Sequence, residues 1–346
     1  MASTSISKAE QSYILAGILA NPPRRADGRD LHDFRAISLE TGIAPLSNGS
    51  ARLNIGRNPH DGSGGTEILA AVKLEVETSG DGGRVSCSVT CSPSAYPHLP
   101  SGALDDLQHD LTAVIHSTLS HPSLYPKNLD IIPGKKSWLL NLDLLVMADA
   151  GNVYDALFMA ARAALWDTKV PRTQKVEYKS PESLSTASDV MDVDQDTSSG
   201  FDTRKVSNAV DFELPDYWDE GQALNGREKW PVAITLNLVS DTHFVDATLQ
   251  EEASCVLRLL LVYSFESPTS PTIQCIRTFG SVELNKPYVR NLIKAGSYLL
   301  AVFLPSHPRQ HAENYTKEMI TSLTAKLVDE DIRRNQKARD RFVKRK

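Results

Sequence analysis

The sequence is short of cysteine, of long apolar runs and of positive charge, and each shortage closes off a class of protein. Four cysteines in 346 residues are too few for a disulfide-built scaffold and fit a reducing compartment. No stretch approaches the ~18 uninterrupted apolar residues of a membrane-spanning helix, so no membrane partner is expected. Met1 to Glu10 lacks a cationic stretch followed by an apolar core, so no secretory leader is expected. Asn48-Gly49-Ser50 and Asn314-Tyr315-Thr316 then read as chance matches to the glycosylation pattern. The nine histidines include no His-Glu-x-x-His spacing, and there is neither a Gly-x-Ser-x-Gly elbow nor a Walker loop. With a net charge of −6, a polyanion partner would need a local basic patch. What remains is 41% hydrophobic and 23% charged, a globular composition with length for about two domains.

Charge is unevenly spread. Glu177 to Glu220 carries twelve acidic residues against three basic ones, a net −9 that leaves the rest of the chain at +3. Ser180 to Gly200 within it is rich in Ser, Thr and Asp and poor in large apolar groups. Such a stretch cannot bury enough surface to offset its ordering entropy, so a disordered acidic insertion between two folded halves is expected. Whether it binds a basic partner or only solvates stays open. The far end is opposite in sign: Arg333, Arg334, Lys337, Arg339, Arg341, Lys344, Arg345 and Lys346 crowd together. They form either a solvated helix end or a segment for nuclear targeting or RNA contact.

Between these extremes the patterning changes period. Ser7-Lys8-Ala9-Glu10 is a capping box that opens a helix through Ile18. Ala51, Leu53 and Ile55, then Ile68, Ala70, Val72, Leu74 and Val76, alternate with polar residues as strands with one wet face. A Gly-rich loop, Gly56 to Gly65, joins them. Val85, Cys87, Val89 and Cys91 form a third such face, which places both cysteines in a core and not at a metal. Leu104, Leu107, Leu111, Val114, Ile115 and Leu119 recur at helical spacing. Trp138 to Met147 reads as a buried central strand, followed by an alanine-rich helix, Val153 to Leu165. After the insertion come strands over Val232 to Leu238 and His243 to Ala247, a helix carrying Leu249, Val256, Leu257 and Leu260, a strand through Ile273, Cys275 and Phe279, and a helix opened by Pro287. The same order of elements occurs twice, so two similar α+β halves are expected.

Four patches in this order resemble the RNase PH family: Arg25-Ala26-Asp27-Gly28-Arg29 with Phe34-Arg35; Asn48 to Arg52 with Gly56 and Thr66 to Lys73; Asp143 to Leu165; and Val245-Asp246-Ala247-Thr248-Leu249-Gln250-Glu251-Glu252-Ala253. The resemblance spans Ser7 to Leu304, apart from the insertion and the Gly-rich loop. Within the family it points to the non-catalytic ring subunits of the RNA exosome. It implies an α+β fold of two βαβα halves and a place in a hexameric ring around a channel for single-stranded RNA. The chain then divides into an N-terminal helix (1–24), a first half (25–175), the acidic, partly disordered insertion (176–228), a second half (229–307) and a C-terminal helix with a basic tail (308–346).

Phosphorolysis brings two anions together, so its site needs cations and oriented donors, with a carboxylate to handle a proton or hold a metal. In active members of the family, a Gly-Thr-Arg or Gly-Ser-Arg at the head of the second helix holds the phosphate. The matching positions here are Gly151-Asn152-Val153, and Asp155 two residues on is expected to add repulsion. The first helix, arginine-rich in active members, here has Asp105, Asp106 and Asp110 and no arginine. One charge pair at about 4 Å and an effective dielectric of about 20 is worth roughly 4 kcal/mol, so Val153 in the clamp position is expected to cost several powers of ten in rate. Asp246 and Glu252 occupy the family's acidic positions, six residues apart. They are either the remnant of a site or a cap and dipole partner for the helix that starts beside them.

The loop before the first helix, Pro93 to Ala103, has His98 but no cation. Arg84, Lys135, Lys136 and Arg172 are the RNA-binding candidates, with a solvated surface role as the alternative. The expected function is a structural subunit of the exosome core with no cofactor and no metal. The resemblance implies other RNase PH-like ring subunits, cap subunits, single-stranded RNA and an associated nuclease as partners. It also implies a place in the nucleus and nucleolus, and in the cytoplasm. The rival readings are an active phosphate-dependent 3′–5′ exoribonuclease and a free-standing RNA-binding module. Val153 and the arginine-free helix weigh against the first; the net charge and the lack of an aromatic-basic RNA motif weigh against the second.

Overall fold

The computed structural model describes residues 6–57, 64–78, 82–178, 201–202, 211–215, 221–240, 242–267, 270–280 and 308–343. The chain opens with α1 (Lys8–Leu19), whose first turn is capped by the Ser7 hydroxyl accepting the Glu10 N–H at 3.2 Å. The first sheet is built from β1 (Ile37–Thr41), β2 (Gly49–Ile55), β3 (Thr66–Glu77), β4 (Arg84–Cys91), β5 (Asp130–Ile132) and β6 (Lys136–Ala148). Its order is β1-β2-β3-β6-β4, with β5 paired to β6. All pairings are antiparallel except β4 with β6, which are parallel because α2 (Ser101–Leu119) carries the chain across between them.

Alternation along β6 buries Trp138, Leu140, Leu142, Leu144 and Val146. α2 places Leu104, Leu111, Val114, Ile115 and Leu119 in the core. A second periodicity lies hidden in the same helix. Gln108, Thr112 and His116, four residues apart, accept the N–H groups of Cys91 (2.9 Å), Val89 (3.0 Å) and Cys87 (3.3 Å). These amides lie on the side of β4 away from β6, so α2 side chains satisfy an edge that would otherwise be open. Cys87 and Cys91 are buried, and burial pushes both thiols up to about 12.

α3 (Val153–Asp167) is buried along nearly its whole length and lies against β2, β3 and the second sheet. Ala156, Ala160, Ala161, Ala163 and Ala164 are fully buried; small side chains let the helix approach both layers. The second sheet has the order β13-β12-β14-β15. Its strands are β12 (Val232–Val239), β13 (Thr242–Phe244), β14 (Leu257–Ser267) and β15 (Ser270–Gly280), with α4 (Leu249–Ser254) between β13 and β14. Every residue of β12 is buried. α5 (Pro308–Val343) packs Met319, Leu323 and Leu327 into the core, against β12 and β14 of the second sheet and β1 and α3 of the first half.

Several expectations need correction. Leu249, Val256, Leu257 and Leu260 do not share a helix: α4 ends at Ser254, and Leu257 begins β14. An apolar run fits either structure by pattern, and here its backbone is claimed on both sides, by β12 and β15. The strand read over His243 to Ala247 stops at Phe244, because Asp246 has φ +47° and turns the chain. Asn54 and Val76 exchange the environments read for them: Asn54 is buried, and Val76 is 47% exposed. On either side of Ser180 to Gly200, the stretch expected to be disordered, the flanks form strands, which the sequence pattern leaves unassigned. β8 (Gln174–Tyr178) pairs with β9 (Phe201–Asp202) and β10 (Asp211–Glu213), and β7 (Lys169–Val170) pairs with β11 (Gln222–Ala223). Phe212 anchors them, edge-on to Trp138 at 6.0 Å between ring centroids. Ser180 to Gly200, the helix opened by Pro287 and most of the Gly-rich loop lie outside the described residues.

Thr112→Val keeps the side-chain volume but removes the acceptor for Val89. It should lower unfolding stability by about 1–3 kcal/mol, as read from denaturant titration of the full chain.

Candidate functional site

The site begins at the turn between β13 and α4. Thr248 caps α4 in a reciprocal box: its hydroxyl accepts the Glu251 N–H at 3.4 Å, and the Glu251 carboxylate accepts the Thr248 N–H at 2.8 Å. This places Asp246 just before the helix, in the left-handed region that Asp tolerates better than most residues. Its carboxylate is wholly buried.

Five donors meet that carboxylate. The Arg35 backbone N–H (2.7 Å), Nε (2.9 Å) and Nη2 (2.7 Å) donate to it, as do Arg29 Nη1 (2.9 Å) and Asn152 Nδ2 (3.0 Å). Arg25 lies beside them, fully buried, in a two-pronged pair with Glu251 at 2.9 and 2.7 Å. It also donates to the carbonyls of Val245 (3.0 Å) and Asp246 (2.8 Å). Burial alone would raise the Asp246 pKa, but the hydrogen bonds and charge of Arg35, with the charge of Arg29, outweigh it and hold the carboxyl below its ordinary range.

The head of α3 closes the other side. Gly151 has φ +96°, and a Cβ there would sit 2.4 Å from the Ala247 carbonyl oxygen, so only glycine lets the two turns touch. Asn152 precedes the helix, also left-handed, and gives its backbone N–H to Glu252 Oε1 at 2.8 Å. The other Glu252 oxygen pairs with Arg258 Nη1 at 2.6 Å. Burial raises the Glu252 pKa, with Arg258 opposing. Val153 lies partly buried against the core. The position that would face an incoming anion thus offers an N–H already taken by a carboxylate.

Asp155 feels both the Asn152 side chain and the like charge of Asp246 at this head, but its main partner lies elsewhere. It is fully buried and faces the second sheet, accepting Thr235 Oγ1 at 2.7 Å and the Thr235 N–H at 3.1 Å. Burial pushes its pKa up to about 7, against the pull of those bonds. Asp110 on α2 pairs with Arg277 at 2.5 Å and accepts the Tyr154 hydroxyl at 2.9 Å. Tyr154 in turn stacks on Phe279.

The four candidate RNA-binding cations do not converge on this turn. Arg84 starts β4 and pairs with Glu77. Lys136 starts β6, binds Asp211 at 2.8 Å and lies over the Phe212 ring. Lys135 and Arg172 are exposed nearby in the chain, each with contacts of its own. Among the described residues no group of three or more His, Cys, Asp or Glu is arranged to hold a metal. Sequence reasoning assigned no role to Arg25, Arg29, Arg35, Glu251 or Arg258. The available signal was three arginines within eleven residues around Asp27-Gly28, a density with a structural use.

Two measurements check these charges. Asp246→Asn leaves Arg29 and Arg35 without their counter-charge and should cost about 3–5 kcal/mol in unfolding stability. Because the folded pKa of Asp246 is depressed, its contribution is present above the ordinary value of 3.8 and is lost as pH falls through the folded pKa. Asp155 acts with the opposite sign: its raised folded pKa means stability increases as pH falls from about 7 toward 3.8. Asp155→Asn should flatten that part of the stability–pH curve.

Residues 33–171 match the family model described as the 3′ exoribonuclease family, domain 1, RNase PH. A Thermoplasma acidophilum protein named exosome complex component Rrp42 is 30% identical over 255 residues, covering 72% of this chain and 78% of that one. A Dictyostelium discoideum protein, provisionally named exosome complex exonuclease RRP42, is 26% identical over 307 residues, covering 73% and 83%. Among solved structures, a chain of the Archaeoglobus fulgidus exosome with RNA bound to the active site superposes with a TM-score of 0.58 at 18% identity, covering 92% of this chain and 97% of that one. No described helix is long and apolar enough to cross a membrane. With its two α+β halves joined at the Asp246 turn and its relatives among the Rrp42 proteins, the chain belongs to the RNase PH 3′ exoribonuclease family.

Proposed function

We propose that the chain is a non-catalytic ring subunit of an RNA exosome core. It helps to close a hexameric ring of RNase PH-like subunits, on which cap subunits sit, and to shape the central channel. Through that channel it passes single-stranded RNA 3′ ends to a nuclease held elsewhere, in ribosomal RNA processing and RNA degradation. The observation that carries this reading is the engagement of the acid pair. Asp246 is saturated by Arg29, Arg35 and Asn152, and Glu252 by Arg258 and the Asn152 N–H. A carboxylate so engaged is poorly placed to take a proton or a metal, and Val153 supplies no charge to hold phosphate. The names of the relatives and the fold shared with the archaeal exosome support the assembly.

Arg84, Lys135, Lys136 and Arg172 remain the proposed cations for RNA passing over the first half. The family resemblance supports a place in the nucleus and nucleolus, and in the cytoplasm; a fluorescent fusion tests it.

Affinity purification should recover several RNase PH-like chains of similar mass. Light scattering of the chain alone should show self-association, since obligate interfaces bury on the order of 2,000 Å² or more and leave apolar surface bare when unpaired. A stable 38.0 kDa monomer with no affinity for such chains would remove the ring-subunit reading. With magnesium and inorganic phosphate, the purified chain should release no nucleoside diphosphates from an RNA 3′ end. Release that co-fractionates with the chain would make it a phosphorolytic exoribonuclease instead.

A further inference from the structure

α5 changes character along its length. Its packed face runs from Met319 through Leu323 and Leu327, all buried, to Glu330, which is 5% exposed. Glu330 is met by Arg333 at 2.5 Å and Lys326 at 3.6 Å. The next residue, Asp331, accepts Trp166 Nε1 at 3.1 Å and lies 3.6 Å from Arg227, and one turn on Arg334 pairs with Asp167. The helix continues nine residues past Arg334, to Val343, a rise of about 13 Å. Asn335, Gln336 and Arg339 are exposed.

From 333 to 343 the helix carries Arg333, Arg334, Lys337, Arg339 and Arg341 against Asp340 alone, +4 in a chain whose total is −6. Positions 334, 337 and 341 follow at spacings of three and four, the repeat of a single helix side. Past the packed stretch the helix sequence is thus predominantly cationic. Past Arg334 the apolar residues are Ala338, Phe342 and Val343. That is too short a set for the anchors over two or more turns by which an amphipathic helix fills a protein groove. A polyphosphate backbone needs only charge at such spacing.

We propose that the 333–343 stretch of α5 is an RNA-binding site that holds the phosphate backbone of single-stranded RNA by charge, without reading bases. The inference rests on the reading of the chain as an exosome subunit. The site uses none of the residues of the Asp246 turn, and none of Arg84, Lys135, Lys136 and Arg172.

The test uses the full chain, with any chains that co-purify, and a fluorescent single-stranded RNA of about 20 nucleotides, titrated at salt from roughly 50 to 300 mM. The triple variant Lys337→Gln, Arg339→Gln, Arg341→Gln keeps good helix formers. It should bind about 10- to 100-fold more weakly near 100 mM salt, with the log–log salt slope shallower by about 2 and the melting temperature unchanged. The charge-keeping variant Lys337→Arg, Arg339→Lys, Arg341→Lys should bind like the parent, which separates charge from packing. Equal affinity and slope in the Gln variant would overturn the site. So would displacement of the RNA by polyglutamate as readily as by unlabelled RNA, because the helix would then take any acidic chain. Ring chains that co-purify with the Gln variant while RNA binding stays unchanged would overturn this inference alone. Loss of ring partners with tail-dependent RNA binding intact would overturn the subunit reading alone.

Discussion

The buried carboxylate of Asp246 accepts from Arg29, Arg35 and Asn152 at once, and no one of these groups can sit there without the others. An ion removed from water costs several kcal/mol unless its partners arrive with it. The N-terminal segment, the head of α3 and the turn before α4 must therefore come together in one arrangement. Arg25 repeats the tie one step further in, spanning Glu251 and two carbonyls. Glycine at 151 lets the two turns come within contact. These polar groups join the two halves.

Packing around α3 follows from that joint. The helix separates the two sheets, and its alanines bring β2 and β3 to one side and β12 to the other. Polar contacts set the register that apolar contact alone leaves loose. Asp155 takes both the hydroxyl and the N–H of Thr235, and Arg162, buried, donates to the Trp230 carbonyl and to Thr324 of α5. A buried arginine with a depressed pKa, lowered to about 10 by burial, is tolerated where carbonyl and hydroxyl oxygens meet its two Nη nitrogens.

The polar side chains of α2 serve the packing of the sheets. Gln108, Thr112 and His116 are committed to the amides of β4. Asp110 is committed to Arg277 and Tyr154. Of the acidic residues of this helix, Asp110 thus has partners on other elements, and its pair with Arg277 ties α2 to the second sheet.

By itself the sequence determined what depends on local period and local chemistry. Alternation marked β2, β3, β4 and β6, helical spacing marked α2 and α3, and Ser7 marked the start of α1, because each is a relation between residues at most a few positions apart. The family patches picked out Asp246, Glu252 and Asn152 as candidates; their contact was decided by the fold. Where two structures share one local pattern, only tertiary pairing decided: the apolar run from Leu257 became β14 because β12 and β15 flank it, and the flanks of the acidic insertion became strands because Phe212 reached Trp138. The partners of the acid pair were equally out of reach. Arg25, Arg29 and Arg35 lie more than 200 positions from Asp246 and Glu251, and a charge carries no mark of which distant counter-charge the folded chain will bring against it.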